Sequence, residues 1–253
     1  MEVEFDMSAE EYALLYKRFL NRPPEVLLCM AKMKEGDKVL DLCSGISGRL
    51  SKAAEKMGAS QVVTVDIHKD IWKLREGNIY PVCNSIEGFL WCFVHAIGGG
   101  NYSDYLNVRG TGFKAFFKDM FNLYGTKSYF DVVACQQGVN YWFSDHCVLD
   151  ISQAIKPGGR FIFNTFNKEP VPDRIVSSSY EIGGKNYMEV YNYINGIINH
   201  VQIVDSMKPH VSSFRWISKE EYAKTLSPYF DVEVKTEKNA DIYVCTRKGN
   251  KDV

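Results

Sequence analysis

The segment KVLDLCSGISGRLSKAAEKMGASQVVTVD, residues 38–66, decides the fold. KVLDL (38–42) is a short apolar run behind the turn-forming Glu35-Gly36-Asp37, and QVVTVD (61–66) is a second such run. Both have the length and the β-branched content of buried strands. Between them lie a loop containing glycine and serine, 43–48, and a helical stretch, 49–57, closed by Gly58. Strand, loop, helix and strand in this order form a βαβ unit. Its two strands must run parallel, because only a crossover connection joins them.

Outward from this unit the texture is consistent. Ser8 with Glu11 forms a capping box that predicts a helix over 8–20, and a second helix is expected over 25–33, so 1–37 reads as N-terminal helices. Residues 67–76 look helical. The stretch 79–112 holds an apolar run (GFLWCFVHAI) and the triplet Gly98-Gly99-Gly100, and it reads as an insertion with its own helix. FKAFF (113–117) and YFDVVACQ (129–136) are strand-like. A helix over 145–155, the turn Lys156-Pro157-Gly158-Gly159 and the strand RFIFNTF (160–166) follow. Beyond Asn167 continuous apolar runs give way to alternation. NYMEVYNYI (186–194) and IINHVQIV (197–204) flank Asn195-Gly196, a strong hairpin signal. HVSSFRWI (210–217) adds a third antiparallel strand, so 171–217 is expected to be an antiparallel appendix. Ser218 with Glu221 opens a further helix, and FDVEVKT (230–236) and DIYVCTR (241–247) predict a closing hairpin.

Composition bounds the function. With 253 residues, 45% apolar and 24% charged, the chain suits one globular domain. Thirty basic residues against 31 acidic ones leave a net charge of -1, which argues against a dedicated nucleic-acid binder. No apolar stretch reaches the roughly 18 residues of a membrane span. The acidic beginning MEVEFDMSAEEY is unlike a secretory signal, so a cytoplasmic protein is expected. The seven cysteines are scattered with no Cys-x-x-Cys pair, which suggests neither a zinc site nor a disulfide framework.

In an open parallel sheet, ligands bind beyond the carboxyl ends of the strands, where strand order reverses. The loop Asp41-Leu42-Cys43-Ser44-Gly45-Ile46-Ser47-Gly48 is therefore the place for a site. Its glycines let a ligand approach the backbone. Asp66, at the end of the second strand, is placed to accept hydrogen bonds from a ribose. A dinucleotide binder would show G-x-G-x-x-G, and a phosphate-binding loop would end in lysine. Neither pattern is present, so an adenosine-type ligand without phosphates fits better.

VLDLCSGISGRLS, VVTVDIH, YFDVVACQQGVNYW and IKPGGRFIFNTFN, in this order, resemble the Rossmann-like S-adenosylmethionine-dependent methyltransferases of class I. The resemblance covers roughly residues 8–167 and the terminal hairpin. It implies a three-layer α/β/α sandwich around a mostly parallel seven-stranded sheet with a C-terminal antiparallel hairpin, here with the β appendix added. It also implies the cofactor S-adenosyl-L-methionine. Asp41, Ser44, Gly45 and Gly48 would line its methionine part. Asp66 would hold the ribose, Ile67 would pack on the adenine, and Gln136 and Gln137 would face the methionine moiety or the substrate. The acid that meets the adenine amino group would be Asp119, beside Met120, if 79–112 is an insertion, or its place would be taken by Asn84 if it is not. The loop departs from G-x-G-x-G: Cys43 and Ser47 replace glycines, and serine fits only if its φ is negative.

The implied activity is methyl transfer by in-line displacement to a small-molecule acceptor, lined by Tyr16, Asn140 and Tyr141 and covered by the appendix. No Asn/Asp-Pro-Pro-aromatic run follows the fourth strand, and no Pro-Cys pair offers a thiolate, which disfavours methylation of nucleic-acid bases. An RNA cap-type methyltransferase and a non-catalytic partner subunit are the alternatives. His200 and His210 are candidate proton acceptors; ordinary hairpin histidines are the competing reading.

Overall fold

A computed structural model of the chain describes residues 23–95, 128–136, 138–167, 170–172, 174–182, 184–205, 209–237 and 240–249. The first helix, α1 (Pro24–Met30), opens on two prolines, whose fixed φ suits a helix start. It is followed by β1 (Lys38–Leu42), α2 (Arg49–Lys56) and β2 (Gln61–Asp66). A 3-10 turn (Lys69–Leu74) leads into β3 (Ile79–Cys83) and α3 (Ile86–His95). Then come β4 (Phe130–Cys135), α4 (Asp145–Ala154) and β5 (Ile155–Phe166). After the appendix, α5 (Lys219–Leu226) leads to β10 (Phe230–Thr236) and β11 (Ala240–Arg247).

Seven strands form one sheet in the order β10-β11-β5-β4-β1-β2-β3. β1 pairs parallel with both β2 and β4, and only the β11 hairpin runs antiparallel. Strands flanked by helices on both faces have no solvent side, which explains the unbroken apolar runs in β1, β2 and β4. One face packs α3 and α4 through Phe89, Phe93, Phe130 and Phe163. The other packs α1 and α2 through Leu27, Leu28, Leu50 and Ala54. This is a Rossmann-like three-layer sandwich. No helix among the described residues is long and apolar enough to cross a membrane.

The appendix is a separate antiparallel sheet in the order β6-β7-β8-β9: β6 (Ile175–Ile182), β7 (Lys185–Ile194), β8 (Ile197–Val204) and β9 (His210–Arg215). Asn195 (φ 51°) and Gly196 (φ 80°) both take the left-handed conformation that a tight hairpin requires. β6 is a strand that the sequence pattern did not announce.

One expectation is corrected. Residues 79–95, read as part of an insertion, are β3 and α3, and β3 pairs parallel with β2 at the sheet edge. The residue following the third strand is therefore Asn84, not Asp119. The remainder of that stretch, the helix over 8–20, and Tyr16, Asp119, Met120 and Gln137 lie outside the described residues.

Candidate functional site

The sheet reverses its strand order at β1: the chain runs through β2 and β3 on one side and through β4 and β5 on the other. The carboxyl ends of β1, β2 and β4 therefore border the crevice where this fold class binds ligands. The loop after β1 is built to approach closely. Cys43 (φ 56°), Gly45 (φ 59°) and Gly48 (φ 53°) are all left-handed. Ser47 is not among the positive-φ residues, so the condition for serine there is met. For Cys43 the conformation stores about 1–3 kcal/mol of strain, as is common at functional sites. A side chain on Gly48 would meet Leu74 Cδ1 at 2.6 Å.

Two carboxylates frame this loop. Asp66 Oδ2 accepts the Gly45 N–H at 2.9 Å, and its Oδ1 accepts the His68 N–H at 2.9 Å. Burial pushes the Asp66 carboxyl up, opposed by these hydrogen bonds. Asp41, 1% exposed, accepts the Ser51 hydroxyl at 2.6 Å. Burial raises its pKa to about 7 against that hydrogen bond, and Asp66 adds to the rise. Beside them Ile67 is 47% exposed, an apolar surface next to Asp66. Ser44 donates its hydroxyl to the Gly45 carbonyl at 3.2 Å. The Asn84 N–H bonds the Asp66 carbonyl at 3.0 Å, which puts Asn84 at the same edge of the sheet.

The loop after β4 closes the other side. A Cβ on Gly138 (φ 97°) would lie 3.0 Å from Cys43 Cβ, so the two loops touch where only glycine fits. Burial, and then the neighbouring Cys43 thiol, raise the Cys135 pKa well above its ordinary value. Gln136 is half-buried directly after β4. Asn140 is committed within the protein: its Nδ2 donates to the Arg215 carbonyl at 3.1 Å, and its Oδ1 accepts Thr165 Oγ1–H at 2.9 Å. Tyr141, half exposed, meets Ser212 Oγ at 3.3 Å and packs its ring 5.1 Å from that of Phe214. Through these two residues the crevice adjoins the inner face of the appendix.

That face is polar and buried. His200 Nε2 lies 3.5 Å from Glu189 Oε1, and Gln202 Nε2 donates to Glu189 Oε1 at 3.3 Å. His200 stacks on Tyr191 at 4.2 Å. His210 stands opposite Gln202, and burial, then the His200 charge, lower its pKa. Ser51, Gly138, Glu189 and Gln202 were not singled out from sequence, and Cys43 only as a departure from the glycine loop. Glycine directly after a strand-type run was the available signal for Gly138.

No protein-family model matches the chain, and no curated protein matches it. Solved structures do. An S-adenosylmethionine-dependent methyltransferase from Clostridium acetobutylicum superposes with a TM-score of 0.63 at 16% identity, covering 95% of this chain and 99% of that one. An amino pentose methyltransferase from Micromonospora echinaspora, solved with S-adenosylmethionine bound, gives 0.62 at 12% identity over 98% and 100%. A sugar N-methyltransferase from Streptoalloteichus gives 0.60 at 13% over 98% and 97%. At these identities the likeness establishes the fold: a Rossmann-like sandwich shared with methyltransferases over the whole length of each.

Proposed function

We propose that the chain transfers a methyl group from S-adenosylmethionine to a small-molecule acceptor. The observation that carries this reading is Asp66 bound to the left-handed loop at the switch point of the sheet. Its oxygens accept the Gly45 and His68 N–H groups and are also supported by the Ile67 N–H, whereas a carboxylate offers about four acceptor sites. Capacity for a ribose hydroxyl therefore remains. Ile67 supplies an apolar surface for the adenine, and Asn84 follows the third strand at the adenine edge. Asp41, Ser44, Gly45, Gly48 and Gln136 line the methionine part, and the close contact of Gly138 with Cys43 keeps the crevice narrow. A dinucleotide would need a pyrophosphate cradle that this loop lacks.

The cofactor supplies a methyl group already activated by the sulfonium charge. The protein's own residues then have three tasks: align donor and acceptor, exclude water and take a proton from an acidic acceptor. Small-molecule specificity is supported by the near-neutral charge and by the appendix standing beside the crevice. It is supported as well by two neighbours of the same fold that methylate sugars. Titration calorimetry with S-adenosylhomocysteine and with NAD tests the reading. Saturable binding of the homocysteine compound is expected, and binding of NAD alone would end it.

A further inference from the structure

The inner face of the appendix is set out by its ladder. Phe214, Ile198 and Tyr193 share one row, Ser212, His200 and Tyr191 the next, and His210, Gln202, Glu189 and Ser178 a third. The first row is an apolar cluster. The next two rows are polar, yet Glu189, His200 and Gln202 are all more than nine-tenths buried. Burying such groups is costly unless each is matched, and unmatched capacity in a buried site points to a ligand. Two capacities are unmatched. Gln202 Oε1, in a residue 2% exposed, has no hydrogen-bond partner among the described residues. His200 Nε2, buried 3.5 Å from Glu189 Oε1, has no hydrogen-bond partner among the described residues either.

The chemistry of the stripe is one-sided. Burial pushes the Glu189 carboxyl up, but the contacts from His200 and Gln202 outweigh it and hold it below the usual range, so it is a carboxylate at neutral pH. A buried carboxylate favours a cation beside it, and the spare amide oxygen and the imidazole nitrogen accept hydrogen bonds. The stripe also reaches the crevice. His200 stands directly opposite Ser212, a distance of about 5 Å between facing strand residues. Ser212 is the partner of Tyr141 on the loop after β4.

We propose that this stripe is the acceptor subsite and that it takes an amine. The proposal rests on the methyl-transfer reading and deepens it by naming the acceptor class. Glu189 and Gln202 Oε1 hold the ammonium form, and His200 takes its proton. The freed nitrogen lone pair forms a bond to the methyl carbon as the carbon–sulfur bond breaks and its electron pair returns to sulfur. The sulfonium is thereby neutralised, the product amine carries the positive charge, and His200 passes its proton to water. Glu189 is a positioning residue for the imidazole as well as a binding group.

The test uses the full chain, labelled S-adenosylmethionine, and a panel of primary amino sugars with the matching hydroxy sugars. Transfer to amines at least about 100-fold faster than to the matching alcohols is expected, since the buried carboxylate favours an ammonium ion over a neutral hydroxyl and the alcohol oxygen is the weaker nucleophile. Glu189→Gln should raise KM for the amine about tenfold or more with a smaller effect on kcat. His200→Gln should lower kcat by about 10²-fold or more with a smaller effect on KM. In both variants S-adenosylhomocysteine affinity and the melting temperature act as folding controls. If the wild type binds S-adenosylhomocysteine but methylates only the alcohols, or no amine at all, the amine subsite is overturned while the methyl-transfer reading stands. If it does not bind the compound, both fall. Unchanged kinetics in both variants would also overturn the subsite.

Discussion

Gly45 gives its backbone N–H to Asp66 Oδ2 across 2.9 Å, so the loop after β1 is tied to the end of β2. The bond joins two features that lie 21 residues apart in sequence, the glycine of the loop and the acid of the next strand. It means that the residue proposed to hold the ribose also shapes the loop proposed to hold the rest of the cofactor. A defect in one will be felt in the other.

Asp66→Ala is therefore expected to weaken S-adenosylhomocysteine binding by about 1.5–3 kcal/mol through loss of charge-assisted hydrogen bonds. Asp66→Asn keeps one oxygen acceptor and should lose less. Calorimetry on the pair reads the difference. Equal affinity in wild type and Asp66→Ala would show that the ribose is held elsewhere.

Gly138 offers a test of the contact between the two loops. Gly138→Ala suffers twice, from its φ of 97° and from a Cβ placed 3.0 Å from Cys43 Cβ, an atom fixed to the backbone. Gly184→Ala, in the hairpin between β6 and β7, has φ 78° and nothing within 4 Å. The control should lose about 1 kcal/mol from backbone strain alone, and Gly138→Ala about 1–3 kcal/mol more, with weaker cofactor binding. Denaturant melts of both variants check the order, and equal losses would remove the steric contact from the account.

These positions mark where the sequence could be read. β1 and β2 were legible because a strand covered on both faces must be apolar throughout, and Asn195-Gly196 because few other pairs adopt two left-handed residues so readily. β3 was not legible: IYPVC is five residues with Pro81 inside, tolerated because β3 is the edge of the sheet, and it runs into the apolar α3 without a clear period. Reading 79–112 as an insertion is what favoured Asp119 over Asn84 as the residue after the third strand. β6 is Ser-rich and mostly exposed, so it carries no alternation to detect. In the site, Asp41 and Asp66 stood out by their place at strand ends. A left-handed φ on Cys43 leaves no trace in residue type. Glu189 and Gln202 look like solvent-face residues in a single strand, because burial of a sheet face is decided by what lies across it.

Asn140 was expected to touch the substrate, whereas its amide bridges β9 and β5 through the Arg215 carbonyl and Thr165 Oγ1. Asn140→Ala should accordingly destabilise the protein by about 1–3 kcal/mol, since two hydrogen bonds go and their partners are part-buried. Tyr141→Phe removes one half-exposed hydrogen bond to Ser212 and should lose under about 1 kcal/mol. Thermal melts give both numbers. A larger loss in Tyr141→Phe than in Asn140→Ala would reverse the roles assigned to the two neighbours.

Asp41 makes stability depend on pH in an unusual direction for a carboxylate. Its folded pKa of about 7, raised first by burial, stands above the 3.8 of an exposed aspartate. Below pH 4 the group is protonated in both states and has no effect. Between about pH 4 and 7 the unfolded chain has released the proton while the folded chain keeps it, so stability falls as pH rises, by up to about 1.4 kcal/mol per pH unit from this group. Above 7 the loss is complete and constant. Asp41→Asn cannot ionise, and its amide oxygen can still accept the Ser51 hydroxyl that now lies 2.6 Å from the carboxylate. The variant should therefore gain on the wild type as pH is raised, with a larger difference in melting temperature at pH 8 than at pH 5. Parallel melting curves across that range would mean that Asp41 is already ionised in the folded protein, held by a charge partner that its burial beside Ser51 does not reveal.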